Sequence, residues 1–155
     1  MPSSDSDATE RPVISVVAAV IVDDRGRVLV VRKRGTTAFM QPGGKIDAGE
    51  SSVEALQREL AEELDVAVAA TDIRPLGRHV AEAANEPGHA VDAELYMVVL
   101  HSAARAAAEI QEIRWIDPAA PGDVELAPLT RGPVFAVLRD AERAFNRQPD
   151  ASAWE

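Results

Sequence analysis

The sequence has 155 residues, of which 46% are hydrophobic and 27% charged, close to the average for soluble globular proteins. Its net charge of -10 disfavours a long nucleic acid as a partner, because nucleic acids are bound mainly by neutralising phosphates with Lys and Arg. No cysteine is present, which excludes disulfides and thiolate metal sites and leaves carboxylates and histidine as possible metal ligands.

The start of the chain is polar and acidic and lacks the basic and apolar regions of a signal peptide. No apolar run approaches the roughly 20 residues of a membrane span. We therefore expect a cytoplasmic protein with no membrane partner. The composition predicts a disordered N-terminal tail over residues 1–12, one domain over residues 13–147, and a flexible C-terminal tail over residues 148–155.

The first predicted elements are two strands. The run VISVVAAVIV from Val13 is apolar and β-branched, DDRG supplies a turn, and RVLVVRK follows as a second strand. We expect the two to pair as a hairpin. The next segment, RGTTAFMQPGGK, is predicted to be a loop because it is punctuated by Pro42, Gly43 and Gly44.

A helix is predicted to begin at about Ser52. Ser51 followed by Glu54 fits a capping box, and apolar residues at helical spacing define its buried stripe: Val53, Leu56, Leu60 and Leu64. Further strands are expected at about 73–81, at about 91–100 and in IQEIRWID. A second amphipathic helix is expected in PLTRGPVFAVLRDAERAF, ending near Phe145. Strands with two interleaved helices make an α/β or α+β domain.

Three glutamates share one flank of the first helix. Glu59, Glu62 and Glu63 fall within an arc of roughly 100°. Like charges one turn apart repel, and the helix dipole favours cations rather than acids at this end. A solvated acidic face is the commoner explanation of a generic E-x-x-E-E pattern. The alternative is a site for a hard divalent cation such as Mg²⁺, which takes oxygen ligands, and the spacing alone does not decide.

The residues around these acids resemble the Nudix box, G-x5-E-x7-R-E-U-x-E-E-x-G-U, where U is a bulky aliphatic residue. Gly44 and Glu50 are followed by RELAEELDV from Arg58 to Val66. Asp65, in place of the last glycine, is the single departure. The order of strands and helices over about 13–147 is also similar. The resemblance implies the Nudix-type α/β/α sandwich with a mixed central β-sheet.

The resemblance also implies a chemistry. Nudix hydrolases cleave the diphosphate bond of a nucleoside diphosphate linked to another moiety, and they use Mg²⁺, for which Mn²⁺ can substitute. Carried onto this sequence, the metal ligands are Glu59, Glu62 and Glu63, with Glu50 as an additional or water-mediated ligand. Arg58 would orient a ligand glutamate through charge-assisted hydrogen bonds. Arg58 and the three glutamates Glu59, Glu62 and Glu63 belong to the predicted catalytic set, together with Glu109.

The general base has several candidates. Some family members use a glutamate of the box, and others use an acid from a later loop. Glu109 is our first choice, because the preceding HSAARAAA is predicted to be a loop that leaves it free to move over the metal. An exposed glutamate at a strand edge is an equally good interpretation of Glu109. Glu112 is the other late candidate, and it could simply face solvent.

Candidates for substrate contact lie before and within the box. Arg34 and Lys45 are candidates for phosphate binding, although surface cations often have no binding role. Phe39 could pack against a base, and so could Met40 and Tyr96, but core packing is the commoner role of such residues. The histidines are isolated and are expected to be structural or surface residues: His79, His89 and His101.

Asp65 in the glycine position raises a question of stability. A glycine there would end the helix in the left-handed conformation, which Asp tolerates at a cost of about 1 kcal/mol. We expect the metal ligands to be unaffected by this change.

Two functional hypotheses follow from the resemblance. The first is a pyrophosphohydrolase, and the compact chain favours a nucleoside triphosphate as its small-molecule nucleotide substrate. The alternative is a nucleotide-binding regulatory module that keeps the Nudix fold without turnover. The presence of all four box acids favours the enzyme. Many family members dimerise, so a homodimer is compatible with the resemblance, although no apolar stripe in the sequence identifies an interface.

Overall fold

The computed structural model describes residues 12–147, so the two predicted tails lie outside the described residues apart from Pro12. Two α-helices are described, α1 (Ser52–Leu64) and α2 (Phe135–Arg147). A 3-10 turn covers Ala70–Asp72, and a π-helical turn over Thr130–Val134 leads into α2. The strands are β1 (Val13–Ile21), β2 (Val28–Lys33), β3 (Gly43–Lys45), β4 (Ile73–Glu82), β5 (Ala90–Val98) and β6 (Ile110–Ile116). No helix in this part of the chain is long and apolar enough to cross a membrane.

The strands form two sheets. The larger has the order β3-β1-β5-β4, and it is mixed because β1 and β5 run parallel whereas the other pairs are antiparallel. The smaller sheet pairs β2 with β6 in antiparallel register. A mixed sheet with two helices confirms the predicted α+β fold class.

The predicted hairpin of β1 and β2 is wrong. A tight turn joins the two strands, but beyond it they share only an isolated bridge between Val22 and Val28. The edges of β1 are taken by β3 and β5, and β2 pairs with β6 and with Met40. Competition from these distant partners moves β2 into a separate sheet.

Alternation along β1 builds a core on each side of the large sheet, because successive strand residues point to opposite faces. One core joins the odd-numbered residues of β1 to α1: Val17, Ala19, Ile21, Leu56, Leu60 and Leu64. The other joins the even-numbered residues to the start of the second helical segment: Ala18, Val20, Leu129, Val134 and Phe135. The sheet is therefore covered on both faces, as the predicted sandwich requires.

The first helix begins as the capping box predicts. Ser51 Oγ accepts the Glu54 backbone N–H at 3.1 Å, and Glu54 Oε1 accepts the Ser51 backbone N–H at 2.9 Å. The helix ends at Asp65, whose φ of 55° and ψ of 44° are left-handed. The leucine stripe is fully buried, which fixes the rotation of α1 and directs its acidic flank toward β1 and β3.

Candidate active site

A cleft of about 500 Å³ opens between β1, the loop from β2 to β3, and the loop from β4 to β5. Its volume lies in the range typical of small-molecule sites. Apolar side chains of β1 and of the segment before α2 form part of its wall: Ile14, Val16, Ala18, Ala127 and Leu129. Charged residues also line the cleft: Lys33, Arg34, Lys45, Glu59, Glu86 and Glu109.

Glu63 is the most buried of the predicted metal ligands. Only 2% of it is exposed, and its Oε1 accepts the backbone N–H of Gly43 at 3.0 Å. Burial raises the pKa of Glu63 to about 8, and the nearby Glu59 and Glu109 charges act in the same direction. The hydrogen bond from Gly43 and the charge of Lys33 only partly oppose that increase. The site therefore holds a carboxylate whose ionised form is only partly neutralised by its surroundings.

Glu59 lies one turn earlier, against Gly44. A Cβ on residue 44 would stand only 2.6 Å from the Glu59 Cδ, so a glycine at this position is what gives the carboxylate its room. Burial raises the pKa of Glu59 even though Arg58 Nη1 donates to its Oε1 at 2.8 Å. Two neighbouring carboxylates, Glu59 in the lining of the cleft and Glu63 outside that lining, are thus held in an environment that penalises their charge.

Arg58 organises the acids of the box. Its Nε and Nη2 donate to the two oxygens of Glu50 at 2.7 and 2.9 Å, while Nη1 bonds Glu59. Glu62 Oε2 lies 3.6 Å from the same guanidinium, and Nη2 also reaches the Lys45 carbonyl at 3.1 Å. These contacts raise the pKa of Arg58 and lower the pKa of Glu50. Arg58 therefore holds the loop before α1 and the acidic flank of α1 in one arrangement.

The predicted ligands lie side by side but do not form a ready-made cage. Within residues 12–147 no three acidic or histidine side chains converge on one point that could hold an ion. Arg58 and the Gly43 N–H engage Glu50, Glu59 and Glu63, while Glu62 has 54% of its side chain exposed. The donor set nevertheless fits a hard divalent cation, because carboxylate oxygens are its preferred ligands and a cation would offset the charge buried at Glu63 and Glu59. Nudix hydrolases generally use such metals.

Glu109 reaches the cleft from the loop before β6. Lys33 Nζ lies 3.7 Å from Glu109 Oε1, and the charges of both residues influence Glu63. The register between β2 and β6 shifts between Arg32 and Lys33, so a bulge lies beside the cleft. Bulges re-aim side chains at such places. The structure thus brings the first-choice base to the acidic flank.

Glu112 lies outside the cleft. Its two oxygens accept from Arg114 Nε at 2.8 Å and from Arg32 Nη2 at 3.2 Å. Hydrogen bonds from these arginines lower the pKa of Glu112, with Arg114 the larger influence. A carboxylate paired in this way is a poor proton acceptor, so the geometry favours Glu109 of the two late candidates.

The predicted substrate contacts divide into two groups. Arg34 and Lys45 line the cleft, and so does Met40. Phe39 does not: it is only 5% exposed in the core beside α2, with Arg114 and Arg32 at 4.9 and 5.8 Å from its ring centroid. Tyr96 is likewise buried in the core beside α1. The histidines are absent from the cleft lining, and His101 bonds Asp72 at 3.1 Å.

Sequence reasoning missed two features of the cleft. Lys33 at the end of β2 was not singled out, although its position beside Arg34 was visible. Gln41 was also missed: its Nε2 donates to the Ala19 carbonyl and its Oε1 accepts from Thr130 Oγ1, both at 2.9 Å. Both side chains of this pair are buried. A glutamine in an apolar loop before Pro42 was the signal that could have found it.

Comparison with known proteins identifies the family of the chain. The family model for the NUDIX domain matches residues 12–138. A solution structure of the Escherichia coli ORF135 protein aligns with a TM-score of 0.62 and 26% identity, covering 91% of this chain and 96% of that one. The chain belongs to the NUDIX domain family.

Two curated relatives share a shorter stretch. An RNA pyrophosphohydrolase of Halorhodospira halophila is 41% identical over 61 residues, which is 39% of this chain and 33% of that protein. An 8-oxo-dGTP diphosphatase of Haemophilus influenzae is 36% identical over 61 residues, which is 37% of this chain and 45% of that protein. The chain thus spans less than half the length of either relative.

Proposed function

We propose that the protein is a Mg²⁺-dependent pyrophosphohydrolase, for which Mn²⁺ substitutes. It would cleave the diphosphate bond of a nucleoside diphosphate linked to another moiety, with a nucleoside triphosphate as the favoured substrate class. Family membership supports this proposal, as do the names of the two curated relatives, a pyrophosphohydrolase and a diphosphatase.

The observation that carries the proposal is the burial of Glu63 beside Glu59. A purely structural acidic face would be solvated, yet Glu63 is 2% exposed, and its carboxylate accepts a hydrogen bond from the Gly43 N–H. Buried acids of raised pKa in a cleft are characteristic of functional sites. Glu59, Glu62 and Glu63 would hold the cation, with Glu50 contributing directly or through water.

The remaining charges of the cleft suit a phosphate chain. Lys33, Arg34 and Lys45 line the cleft together with Glu59 and Glu109, so they can neutralise phosphate oxygens that the acids alone would repel. The apolar wall built from Val16 and Leu129 can accept a base or another flat group. Substrate would therefore bind with its phosphates over the glutamates and its nucleoside along β1.

A bound divalent cation would neutralise phosphate oxygens and polarise the attacking water. Glu109 would accept the proton of that water as it attacks phosphorus, and the broken P–O bond would release a nucleotide or a phosphate group. Arg58 would keep Glu59 and Glu50 oriented through the three hydrogen bonds that it donates to them. Lys33, whose Nζ lies 3.7 Å from Glu109 Oε1, would help to keep that carboxylate in place.

The test is release of phosphate or pyrophosphate from a panel of nucleoside triphosphates, nucleotide sugars, dinucleoside polyphosphates and ADP-ribose, with Mg²⁺ or Mn²⁺. Glu62→Gln and Glu63→Gln should each abolish most turnover. Glu54→Gln is the matched control, because it removes a charge from the same helix and glutamine still serves a capping box.

Two outcomes would contradict the proposal. Nucleotide binding without turnover of any compound would identify a regulatory module. Turnover that survives both Glu62→Gln and Glu63→Gln would show that the ligand set is wrong.

A further inference from the structure

Asp65 departs from the family pattern, and the structure shows what it contacts. Its Oδ2 accepts from Arg105 Nε at 2.9 Å and from Arg105 Nη2 at 2.6 Å. Asp65 carries two local costs, a left-handed backbone and an acid at the negative end of a helix dipole. A guanidinium on this carboxylate offsets the second cost.

The backbone around Arg105 is joined to the same helix end. The Arg105 N–H donates to the Leu64 carbonyl at 3.1 Å, and the Ala107 N–H donates to the Glu63 carbonyl at 3.0 Å. Carbonyls in the last turn of a helix have no partner within the helix, so these bonds satisfy two of them. The segment from Arg105 to Ala107 therefore docks on the last turn of α1, which carries Glu63.

Glu109 lies two residues beyond this docked segment. Ala108 has a φ of 52°, a conformation unusual for a residue with a side chain, and the Glu109 carbonyl accepts the Arg34 N–H at 2.8 Å. Strained residues persist where their surroundings fix them, and they cluster at functional sites. The docked segment on one side and β2 on the other thus define where Glu109 stands.

We propose that Asp65 and Arg105 form a latch that positions Glu109 over the acidic flank of α1. This proposal rests on the proposed function, in which Glu109 is the general base. Asp65 and Arg105 are positioning residues, since neither lines the cleft. A glycine at position 65 would keep the backbone bonds but would lose the side-chain contact with the loop.

The size of the effect follows from exposure. Arg105 has 78% and Asp65 has 53% of its side chain exposed, and a pair as exposed as this shifts a local equilibrium by no more than about fivefold. The latch should therefore change how often the loop is docked without changing whether the domain folds.

Amide hydrogen exchange tests the latch without reference to catalysis. Asp65→Asn keeps the shape and the tolerance of left-handed backbone, and Asp65→Gly restores the family residue; both remove the charge pair. In each variant the Arg105 and Ala107 amides should exchange roughly two- to fivefold faster. Asp92→Asn removes another exposed pair, with Arg78 at 3.0 Å, and should leave these amides unchanged. Wild-type exchange at both amides in Asp65→Asn would overturn the latch.

Kinetics then test positioning. Asp65→Asn and Arg105→Gln should lower kcat by up to about fivefold with KM and the Mg²⁺ midpoint unchanged, and Arg105→Lys should recover part of the loss. In a Glu109→Gln background Asp65→Asn should have no further effect. An equal loss in both backgrounds would overturn the role through Glu109. If no nucleotide is hydrolysed, the proposed function fails while the exchange result still decides the latch.

Discussion

Gly44 lies so close to Glu59 that a Cβ at residue 44 would stand 2.6 Å from the Glu59 Cδ and 2.7 and 2.8 Å from its two oxygens. Gly43 faces the backbone instead: a Cβ there would overlap the carbonyl oxygen of Val17, and its φ is 149°. The two adjacent glycines therefore serve different purposes. Gly43 allows β3 to approach β1, whereas Gly44 makes room for a carboxylate.

This difference predicts different effects of two alanine substitutions. Gly44→Ala should leave the fold intact, because the flexible Glu59 side chain can move away, but it should weaken metal binding about tenfold or more. Gly43→Ala should lower the free energy of unfolding by on the order of 3 kcal/mol, because its backbone and its neighbour are both fixed. Urea unfolding and the increase in Tm with Mg²⁺ measure the two effects.

Two results would contradict the predictions for Gly43→Ala and Gly44→Ala. If Gly44→Ala unfolds as easily as Gly43→Ala, then Glu59 is part of the packing and cannot swing aside. Unchanged Mg²⁺ stabilisation in a folded Gly44→Ala variant would show that Glu59 is not a ligand.

The buried Glu63 predicts a pH dependence of stability in metal-free protein. Its pKa is raised to about 8 in the folded state from 4.5, so folding favours its protonated form. The stability that comes from this preference is complete below pH 4.5 and is lost as the pH rises through about 8. Glu63→Gln mimics the neutral form and keeps an oxygen for the Gly43 N–H. It should become progressively more stable relative to wild type from pH 5 to pH 9.

Urea unfolding with a chelator measures this difference at each pH. Acids whose pKa is lowered, such as Glu50 and Glu112, also make stability depend on pH, but both proteins share them. Their contribution cancels in the difference between the two free energies of unfolding. Saturating Mg²⁺ should reverse the order at pH 8, because only the carboxylate gains a metal partner. A pH-independent difference between the two proteins would contradict the raised pKa.

Arg58→Lys should impair turnover more than stability. A lysine keeps the charge, but it cannot donate to both oxygens of Glu50 and to Glu59 in the fixed geometry of a guanidinium. We expect kcat/KM to fall roughly 10- to 100-fold, as is typical when a group that orients metal ligands is lost. Steady-state kinetics at several Mg²⁺ concentrations will measure it.

Arg27→Lys is the matched control for this substitution. Arg27 also forms an arginine–carboxylate pair, with Asp23 at 2.8 Å, but in the turn between β1 and β2. Its replacement should leave kcat/KM unchanged. If both variants lose activity to the same extent, the loss reflects the general removal of a guanidinium rather than the orientation of box acids.

The features predicted correctly are those set by nearby residues. The start of α1 depends on Ser51 and Glu54, three positions apart, and the buried stripe depends on helical spacing, so both were visible in the sequence. The pairing of β2 was not, because its partner β6 lies about 80 positions along the chain. Local turn residues indicate that a chain reverses, but they do not specify which strand pairs with a given strand edge.

The acidic flank shows the same limit within one site. Spacing placed the three glutamates on one side of α1, but it did not reveal that Glu63 is buried while 54% of the Glu62 side chain is exposed. This difference in exposure depends on β1 and on the segment of Gly43 and Gly44, which lie elsewhere in the sequence. Lys33 escaped notice for a similar reason, since its approach to Glu109 follows a register shift between β2 and β6.

The buried hydrogen-bonded pair of Gln41, which lines the cleft, and Thr130 predicts an effect on stability. Thr130→Val keeps the size of the side chain but removes the donor to Gln41 Oε1, leaving a buried amide oxygen without that partner. The free energy of unfolding should fall by about 1–3 kcal/mol, measured by urea denaturation. Thr37→Val is the control: the Thr37 hydroxyl donates to Glu125 at the surface, where water can replace it, so the free energy of unfolding should change by no more than about 0.5 kcal/mol.

The double variant Gln41→Leu and Thr130→Val should recover part of the lost stability, because removing both polar partners costs less than leaving one of them unpaired. A double variant that is less stable than Thr130→Val alone would show instead that the bond from Gln41 to the Ala19 carbonyl is the one that the fold needs.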